Sequence, residues 1–232
     1  MPVYRLSPEL VFPSPHEAEP NGLLAVGGDL GGGRLLLAYS MGIFPWYSEG
    51  QPILWWSPDP RCVLDLDDFH VSRRLRRVLN QEKFRVTFDE DFQGVIRGCA
   101  SVARPGQDGT WITAEMERAY LRLHHTGLAH SVECRVGDHL VGGIYGIALG
   151  RGFFGESMFH RETDASKVAL ARLVDRLAGW DFHFIDAQVT TSHMLSLGAR
   201  EVPRTSFLKS LERALRYPTR RGSWRDAHEA RT

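Results

Sequence analysis

Two polar side chains lie close together in an otherwise apolar segment, FIDAQV at residues 184–189. Asp186 and Gln188 are two positions apart, so in a β-strand both project from the same face of the sheet. A buried carboxylate and a buried amide need hydrogen-bond partners, because leaving them unpaired costs free energy. The pair therefore predicts either a reaction site or a buried structural network, and the spacing leaves both open.

Four arginines are crowded into the segment HVSRRLRRVL at residues 70–79. At helical spacing their guanidinium groups repel one another, and phosphate oxygens would relieve this repulsion. A solvated helix face explains the same pattern equally well. The four are Arg73, Arg74, Arg76 and Arg77.

Several tryptophans stand in segments rich in turn-forming residues: Trp46 in FPW, Trp55 and Trp56 in LWW, and Trp111 in GTWIT. Such side chains either pack into the core or stack on a planar ligand, and stacking on a nucleic-acid base contributes about 1–3 kcal/mol. The 28 Lys and Arg residues are balanced by 28 Asp and Glu residues, so any RNA contact must come from a local patch.

Other catalytic patterns are incomplete in this chain. GESMF at residues 155–159 lacks the second glycine of a nucleophile elbow, so Ser157 is not expected to be a nucleophile. GGDLGGGR at residues 27–34 lacks the Lys-Ser/Thr ending of a phosphate-binding loop. The ten histidines and three scattered cysteines match no metal-binding pattern, so we expect no metal and no cofactor.

The elements that position these residues follow from hydrophobic periodicity and from capping residues. Helices are expected near residues 34–41, 72–79, 113–125, 165–179 and 193–198, with a last helix starting at Thr205 or Ser206. Asp164 and Ser192 are candidate helix-starting residues. Strands are expected over KFRVTF, SVECRV, HLVGGIYGIALG, RGFFGESMF and FHFIDAQV, of which the middle three form an antiparallel meander.

This order of elements predicts an α+β layer sandwich of the kind found in acyl-CoA N-acetyltransferases. A Pro-, Gly- and Trp-rich start predicts a small irregular domain over residues 1–62, ahead of a catalytic domain over residues 63–218 and a frayed tail over residues 219–232. The chain shows neither a secretory leader nor a membrane span, so we expect a cytoplasmic protein and a monomer.

Long blocks of this sequence closely resemble those of the bacterial leucyl/phenylalanyl-tRNA–protein transferases. The resemblance extends over nearly the whole chain through PNGLLAVGGDL, GIFPWYS, ILWWSPDPR, GTWIT, LVGGIYG, FGESMF, ASKVAL, IDAQV and SLGA. It implies transfer of leucine, phenylalanine or, as a further candidate, methionine from aminoacyl-tRNA to proteins that begin with Arg or Lys. It further implies that the product is marked for degradation by the N-end rule.

The same resemblance implies roles for individual positions. Trp46 and Trp111 would contact the terminal adenosine of the tRNA, and the arginine run would touch its acceptor arm. Glu156 would join Asp186 and Gln188 at the reaction centre, and we expect its carboxylate to bind the basic side chain of the acceptor. The aminoacyl side chain would lie in a pocket lined by Ile144, Phe153, Met158 and Leu170.

Two other functions remain open from the residues alone. An acetyl-CoA-dependent N-acetyltransferase would share the fold order, but the join GESMFHRETDASK holds one glycine and the carboxylate of Glu156, which disfavours a bound pyrophosphate. A non-catalytic tRNA-binding module would account for the arginines and tryptophans without any transfer.

Overall fold

The computed structural model describes residues 3–102 and 112–225 of the chain. Within these residues the helices are α1 (Gly32–Ser40), α2 (Arg73–Asn80), α3 (Phe92–Ser101), α4 (Ala114–His125), α5 (Ala165–Ala178), α6 (Ser192–Ser196) and α7 (Arg204–Leu215). The strands there are β1 (Tyr4–Leu6), β2 (Leu23–Gly27), β3 (Phe44–Pro45), β4 (Leu54–Trp56), β5 (Arg61–Asp65), β6 (Arg85–Phe88), β7 (Ala129–Val136), β8 (His139–Leu149), β9 (Gly152–His160), β10 (Phe184–Gln188) and β11 (Arg200–Val202).

The larger sheet has the strand order β11-β5-β10-β9-β8-β7-β6. Strands β7, β8 and β9 form the expected antiparallel meander, and α5 then carries the chain across to β10, which pairs parallel to β9. Strand β10 pairs antiparallel to β5, which in turn pairs antiparallel to β11. The α+β prediction is confirmed.

Helices cover both faces of this sheet, and each face has its own apolar core. One core contains side chains of α1, α3, α4 and α7 against the β8–β10 region, and the other contains side chains of α2, α5 and α6. Phe153 and Phe154 are neighbours on β9, and their side chains point into opposite cores, as alternation along a strand requires.

The N-terminal part of the chain is more regular than its composition suggested. Four short strands form a second sheet in the order β1-β2-β4-β3. Trp55 is completely buried there, and its indole nitrogen donates to the carbonyl of Gly27 at 2.8 Å. The large aromatic side chain thus supplies the core of a segment that we expected to be irregular. The domain division at residue 62 stays a proposal.

Most of the expected helices and strands are present, with differences at their ends. Helix α7 begins at Arg204, one residue before the expected start, because Pro203 occupies the capping position. Asp164 precedes α5 but has a left-handed backbone and makes no side-chain cap; Thr191, rather than Ser192, caps α6. Helix α3 and the strands β5 and β11 of the larger sheet were not predicted.

The end of the chain differs from the expected frayed tail as far as Arg225. The Trp224 side chain is buried, and its ring stacks on that of His130 with centroids 3.7 Å apart. The Trp224 amide donates to the Asp89 carboxylate at 2.7 Å. Burial of a large aromatic surface therefore fastens this segment to β7. Among the described residues, no helix is long and apolar enough to cross a membrane.

Candidate active site

The candidate site lies where the parallel strands β9 and β10 part. Their ladder runs from Phe184 opposite Gly152 to Asp186 opposite Phe154. Just beyond it, each strand has an irregularity on its other edge. On β9, the pairing with β8 leaves Glu156 as an extra residue between Gly155 and Ser157. Bulges of this kind redirect side chains and are common beside functional sites.

On β10, the pairing with β5 leaves Ala187 as the extra residue between Asp186 and Gln188. Gln188 has a left-handed backbone with φ of 62°, which is unfavourable for a residue with a side chain. The expectation of an undisturbed strand with both polar side chains on one face is therefore wrong in its geometry. The two residues are linked instead through the backbone, because the amide of Gln188 donates to Oδ1 of Asp186 at 3.0 Å.

The two bulges bring Gln188 and Glu156 together. Nε2 of Gln188 donates to Oε1 of Glu156 at 2.7 Å. An ionised carboxylate only accepts hydrogen bonds, so it holds the amide nitrogen and fixes the direction of the amide oxygen. The structure thus joins all three residues expected at the reaction centre, with Gln188 between the two carboxylates.

Two tyrosines hold Glu156 from the other side. The hydroxyl of Tyr39 donates to Oε1 at 2.7 Å, and that of Tyr120 donates to Oε2 at 2.8 Å. The two hydroxyls also contact each other. These three contacts contain only two hydroxyl protons, so a proton on Glu156 would complete the triangle.

Burial raises the pKa of Glu156 to about 7, although Tyr39, Tyr120 and Gln188 oppose the rise by donating to its oxygens. The nearby charge of Asp186 also raises this pKa. Burial, followed by the negative charge of Glu156, raises the pKa values of Tyr39 and Tyr120 well above their usual range, so both remain protonated donors near neutral pH. A pKa of about 7 would place the protonation change of Glu156 within the physiological pH range.

Asp186 is locked by Arg61, a residue that the sequence reasoning missed. Nε and Nη2 of Arg61 donate to the two carboxylate oxygens at 2.8 and 2.7 Å, and both side chains are buried. An arginine fork matched to a carboxylate in this way is geometrically specific. Asp186 is therefore engaged as an anchor, and an arginine at the start of the apolar run RCVLD was the available signal.

Tyr39 and Tyr120 were missed as site residues because both look like ordinary core positions. Tyr120 has the helical spacing of the apolar face of α4, and both tyrosines are fully buried. Their hydroxyls meet Glu156 only after folding, since Tyr39 and Glu156 are 117 positions apart.

The four residues expected to line an aminoacyl pocket lie on the α5 face of the sheet. Ile144, Phe153 and Leu170 belong to one buried core, and the half-buried Met158 packs against it. Ile144 lies directly opposite Met158 across the β8–β9 pair. The structure therefore groups them beside β9, on the face opposite to Tyr39 and Tyr120.

Of the two tryptophans expected at the adenosine, the structure describes only Trp46. Trp46 follows β3 and is half-buried, with its ring centroid 5.9 Å from that of Trp56. The Trp46 carbonyl accepts the indole N–H of Trp56 at 2.7 Å, which anchors the segment. Trp111 lies outside the described residues.

The four arginines occupy one short exposed helix, α2, as expected. Ser72 caps it by accepting the amide of Leu75 at 3.2 Å, and Leu75 is the buried anchor of the helix. Arg74 pairs with Asp164 at 2.9 Å. The other three arginines make no ion pair with another described residue. Within residues 3–102 and 112–225, no group of three or more His, Cys, Asp or Glu side chains could hold a metal ion.

Comparison with known proteins gives a consistent answer. The family model described as "Leucyl/phenylalanyl-tRNA protein transferase" matches residues 63–212, and the model of its N-terminal domain matches residues 28–59. The chain is 58% identical to the leucyl/phenylalanyl-tRNA–protein transferase of Anaeromyxobacter sp. (strain Fw109-5), covering 97% of this chain and 95% of that protein. It is 60% identical to the protein of that name from Nitratidesulfovibrio vulgaris (strain DP4), covering 93% and 92%. The chain belongs to the leucyl/phenylalanyl-tRNA–protein transferase family.

Among solved structures, L-PGS from Bacillus licheniformis is similar with a TM-score of 0.40 and 12% identity, covering 84% of this chain and 67% of that chain. A likeness this remote carries no conclusion about function.

Proposed function

We propose that this member of the family transfers leucine or phenylalanine from a charged tRNA to the α-amino group of a protein that begins with Arg or Lys. Methionine is a third candidate donor residue. The observation that carries the proposal is the side chain of Gln188, which Glu156 holds at the amide nitrogen while Asp186 holds its backbone N–H. This arrangement presents a fixed amide oxygen at the opening between two strands.

The reaction exchanges an ester for an amide. The acceptor nitrogen forms a bond to the donor's carbonyl carbon, the bond from that carbon to the ribose oxygen breaks, and the proton released by nitrogen ends on the ribose hydroxyl. The donor ester is already activated, so the reaction is downhill without ATP. An α-amino group with a pKa of about 7.7–8.0 is partly neutral near pH 7 and needs no strong base.

Positioning is therefore the main contribution of the protein. Holding the amine and ester in attack geometry can lower the barrier by about 7–11 kcal/mol. An amide oxygen is a very weak base, so Gln188 accepts a hydrogen bond from the attacking amine and orients its lone pair. Asp186 is occupied by Arg61 and supports Gln188 rather than removing a proton.

The contacts of Glu156 support a different role from the one expected from the sequence. We expected its carboxylate to bind the basic side chain of the acceptor. Three donors already contact it, from Tyr39, Tyr120 and Gln188. We therefore propose that Glu156 orients Gln188, and that the acceptor's basic side chain is bound elsewhere.

The donor would bind across the same opening. The apolar group of Ile144, Phe153, Met158 and Leu170 is suited to a leucine or phenylalanine side chain, because such a group offers no polar partner. Trp46 and Trp111 are proposed to contact the terminal adenosine, and the arginines of α2 are proposed to contact the phosphates of the acceptor arm. We further propose a cytoplasmic monomer whose products enter degradation by the N-end rule.

A transfer assay tests this proposal. The purified protein is given radiolabelled leucyl-, phenylalanyl- or methionyl-tRNA together with peptides that begin with Arg, Lys or Ala. Label is expected on the Arg and Lys peptides and not on the Ala peptide. Binding of tRNA without transfer to any peptide would leave the non-catalytic RNA-binding function, and stabilisation by acetyl-CoA would favour the acetyltransferase.

A further inference from the structure

We infer that Arg61 is a positioning residue for the reaction, through which the N-terminal part of the chain sets the orientation of Gln188. The inference rests on the proposed function, because it assigns Gln188 to the reacting amine. Arg61 itself is not expected to contact a substrate. Its effect passes through Asp186.

The contact between Arg61 and Asp186 is fully enclosed. The Arg61 side chain is 1% exposed and that of Asp186 is 0% exposed. Breaking one half of such a buried pair is costly, because the remaining charge is left without a partner. The two hydrogen bonds from the guanidinium fix the orientation of the Asp186 carboxylate.

The other contacts of the guanidinium come from the N-terminal part of the chain and from α7. Nη1 of Arg61 donates to the carbonyl of Gly42 at 3.0 Å. Its Cζ lies 4.9 Å from the ring centroid of Phe44 and 4.6 Å from that of Phe207. The side chain thus lies between the end of α1, β3 and α7, and all three set its position.

Asp186 connects Arg61 to Gln188, so the position of Arg61 affects that of Gln188. Oδ1 of Asp186 accepts hydrogen bonds from Nε of Arg61 and from the backbone N–H of Gln188. The left-handed backbone of Gln188 is unfavourable for a residue with a side chain and persists only when its surroundings hold it. A displaced Asp186 would release this amide and, with it, the direction of the Gln188 side chain.

A lysine cannot replace this arginine. The guanidinium makes three separate hydrogen bonds from a rigid plane, whereas an ammonium group is a point donor on a flexible stem. Arg61→Lys keeps the charge beside Asp186 and removes the fork, so it isolates geometry from charge.

The first test compares Arg61→Lys with the wild-type protein in steady-state transfer. We expect kcat to fall about 10²-fold, as a displacement of roughly 1 Å can produce, with the KM values for donor and acceptor within about twofold. A protein that was merely less stable would regain its rate at a lower temperature, and this variant would not. Wild-type kcat in a folded Arg61→Lys protein would overturn the inference.

A second pair of variants keeps the test decisive if Arg61→Lys does not fold. Gly42 has a φ of 72°, and a Cβ there would lie 2.8 Å from the Leu208 side chain and 2.9 Å from the Phe207 ring. Gly42→Ala must therefore shift either the backbone whose carbonyl Arg61 binds or the side chains it meets, which include the Phe207 ring that packs on Arg61. Gly50 has a φ of 78° with nothing within 4 Å of its Cβ, so Gly50→Ala carries similar backbone strain without that shift. We expect a lower kcat for Gly42→Ala only, and equal kcat values for the two variants would contradict the inference.

Hydrogen exchange of the Gln188 amide separates this inference from the proposed function. Exchange should quicken in Arg61→Lys and Gly42→Ala relative to Gly50→Ala, whatever the reaction is. Unchanged exchange would refute the role of Arg61. A wild-type protein that transfers nothing would refute the proposed function while the exchange measurement still decides on Arg61.

Discussion

Nε2 of Gln188 lies 2.7 Å from Oε1 of Glu156, although the ladder between their strands has already ended at Asp186 and Phe154. The contact exists because each strand carries a bulge just past the last paired residues. Two departures from regular β-structure therefore converge on one hydrogen bond. The rate, the pH dependence and the stability of the protein should all depend on this contact and on the elements that support it.

The first prediction concerns the pH dependence of transfer. Burial raises the pKa of Glu156 to about 7. In the proposed mechanism its ionised form, whose oxygens can only accept hydrogen bonds, is the form that orients Gln188. The acceptor amine must also release a proton, so two deprotonations raise the rate as pH increases. Below pH 7, the logarithm of the wild-type kcat should therefore rise with a slope approaching two.

The Glu156→Gln variant provides the comparison. It keeps the shape of the side chain but cannot ionise, so only the amine remains and the slope should fall to one. Its kcat should also be lower, because a glutamine does not force the amide nitrogen of Gln188 to face it. A slope of two in this variant would show that Glu156 does not titrate in the reaction.

The same pair of proteins predicts a pH-dependent difference in stability. The pKa of Glu156 in the folded protein, about 7, lies above the ordinary value of 4.5, so the folded state holds a proton that the unfolded state releases between these values. The stabilisation that the folded protein gains from holding this proton is fully present below pH 4.5 and disappears as pH rises through 7. Glu156→Gln should thus gain up to about 3 kcal/mol of unfolding free energy relative to wild type between pH 5 and pH 8. Urea denaturation at both pH values measures this, and a constant difference would contradict it.

Much of this framework follows from the sequence, whereas the active geometry does not. Hydrophobic periodicity predicts α2, α4 and α5, because its signals lie within a few residues of one another. The expected cap of α5, Asp164, does not act as one. The bulges depend on which strands become neighbours, and the FIDAQV pattern gives no sign that Gln188 departs from the strand. Arg61 and Asp186 are 125 positions apart, so only the folded chain brings the fork to its carboxylate.

A third prediction concerns the end of the chain. Trp224 is 3% exposed, and its ring packs on His130 and against Trp180. Trp224→Ala should lower the free energy of unfolding by about 3–5 kcal/mol, as removal of a buried aromatic side chain does. Tyr217, 42% exposed, is the matched control, and Tyr217→Ala should cost much less. Equal decreases in chemical denaturation would mean that residues near 224 are not fastened to the sheet.

A fourth prediction concerns the arginines of α2. Replacing Arg76 and Arg77 by alanine should reduce the slope of log affinity for tRNA against log salt by about 0.7–0.9 for each phosphate that the variant no longer binds. Arg213 and Arg216, which are exposed on or next to α7, serve as the control pair and should leave the slope unchanged. The slopes can be measured by filter binding at several salt concentrations. An unaltered slope in the α2 variant would make these arginines an ordinary solvated face.

An oriented Gln188 side chain should accelerate attack by the amine. The most direct test is the single-turnover rate of transfer from leucyl-tRNA to an Arg-initiated peptide, with both substrates saturating. This rate is compared between the wild type, Gln188→Ala and Val189→Ala. Val189 is the neighbouring residue and is 38% exposed, so its variant controls for local disturbance. We expect Gln188→Ala alone to lower this rate by about 10²-fold or more. A Gln188→Ala rate equal to that of the wild type would show that the Gln188 side chain does not orient the amine.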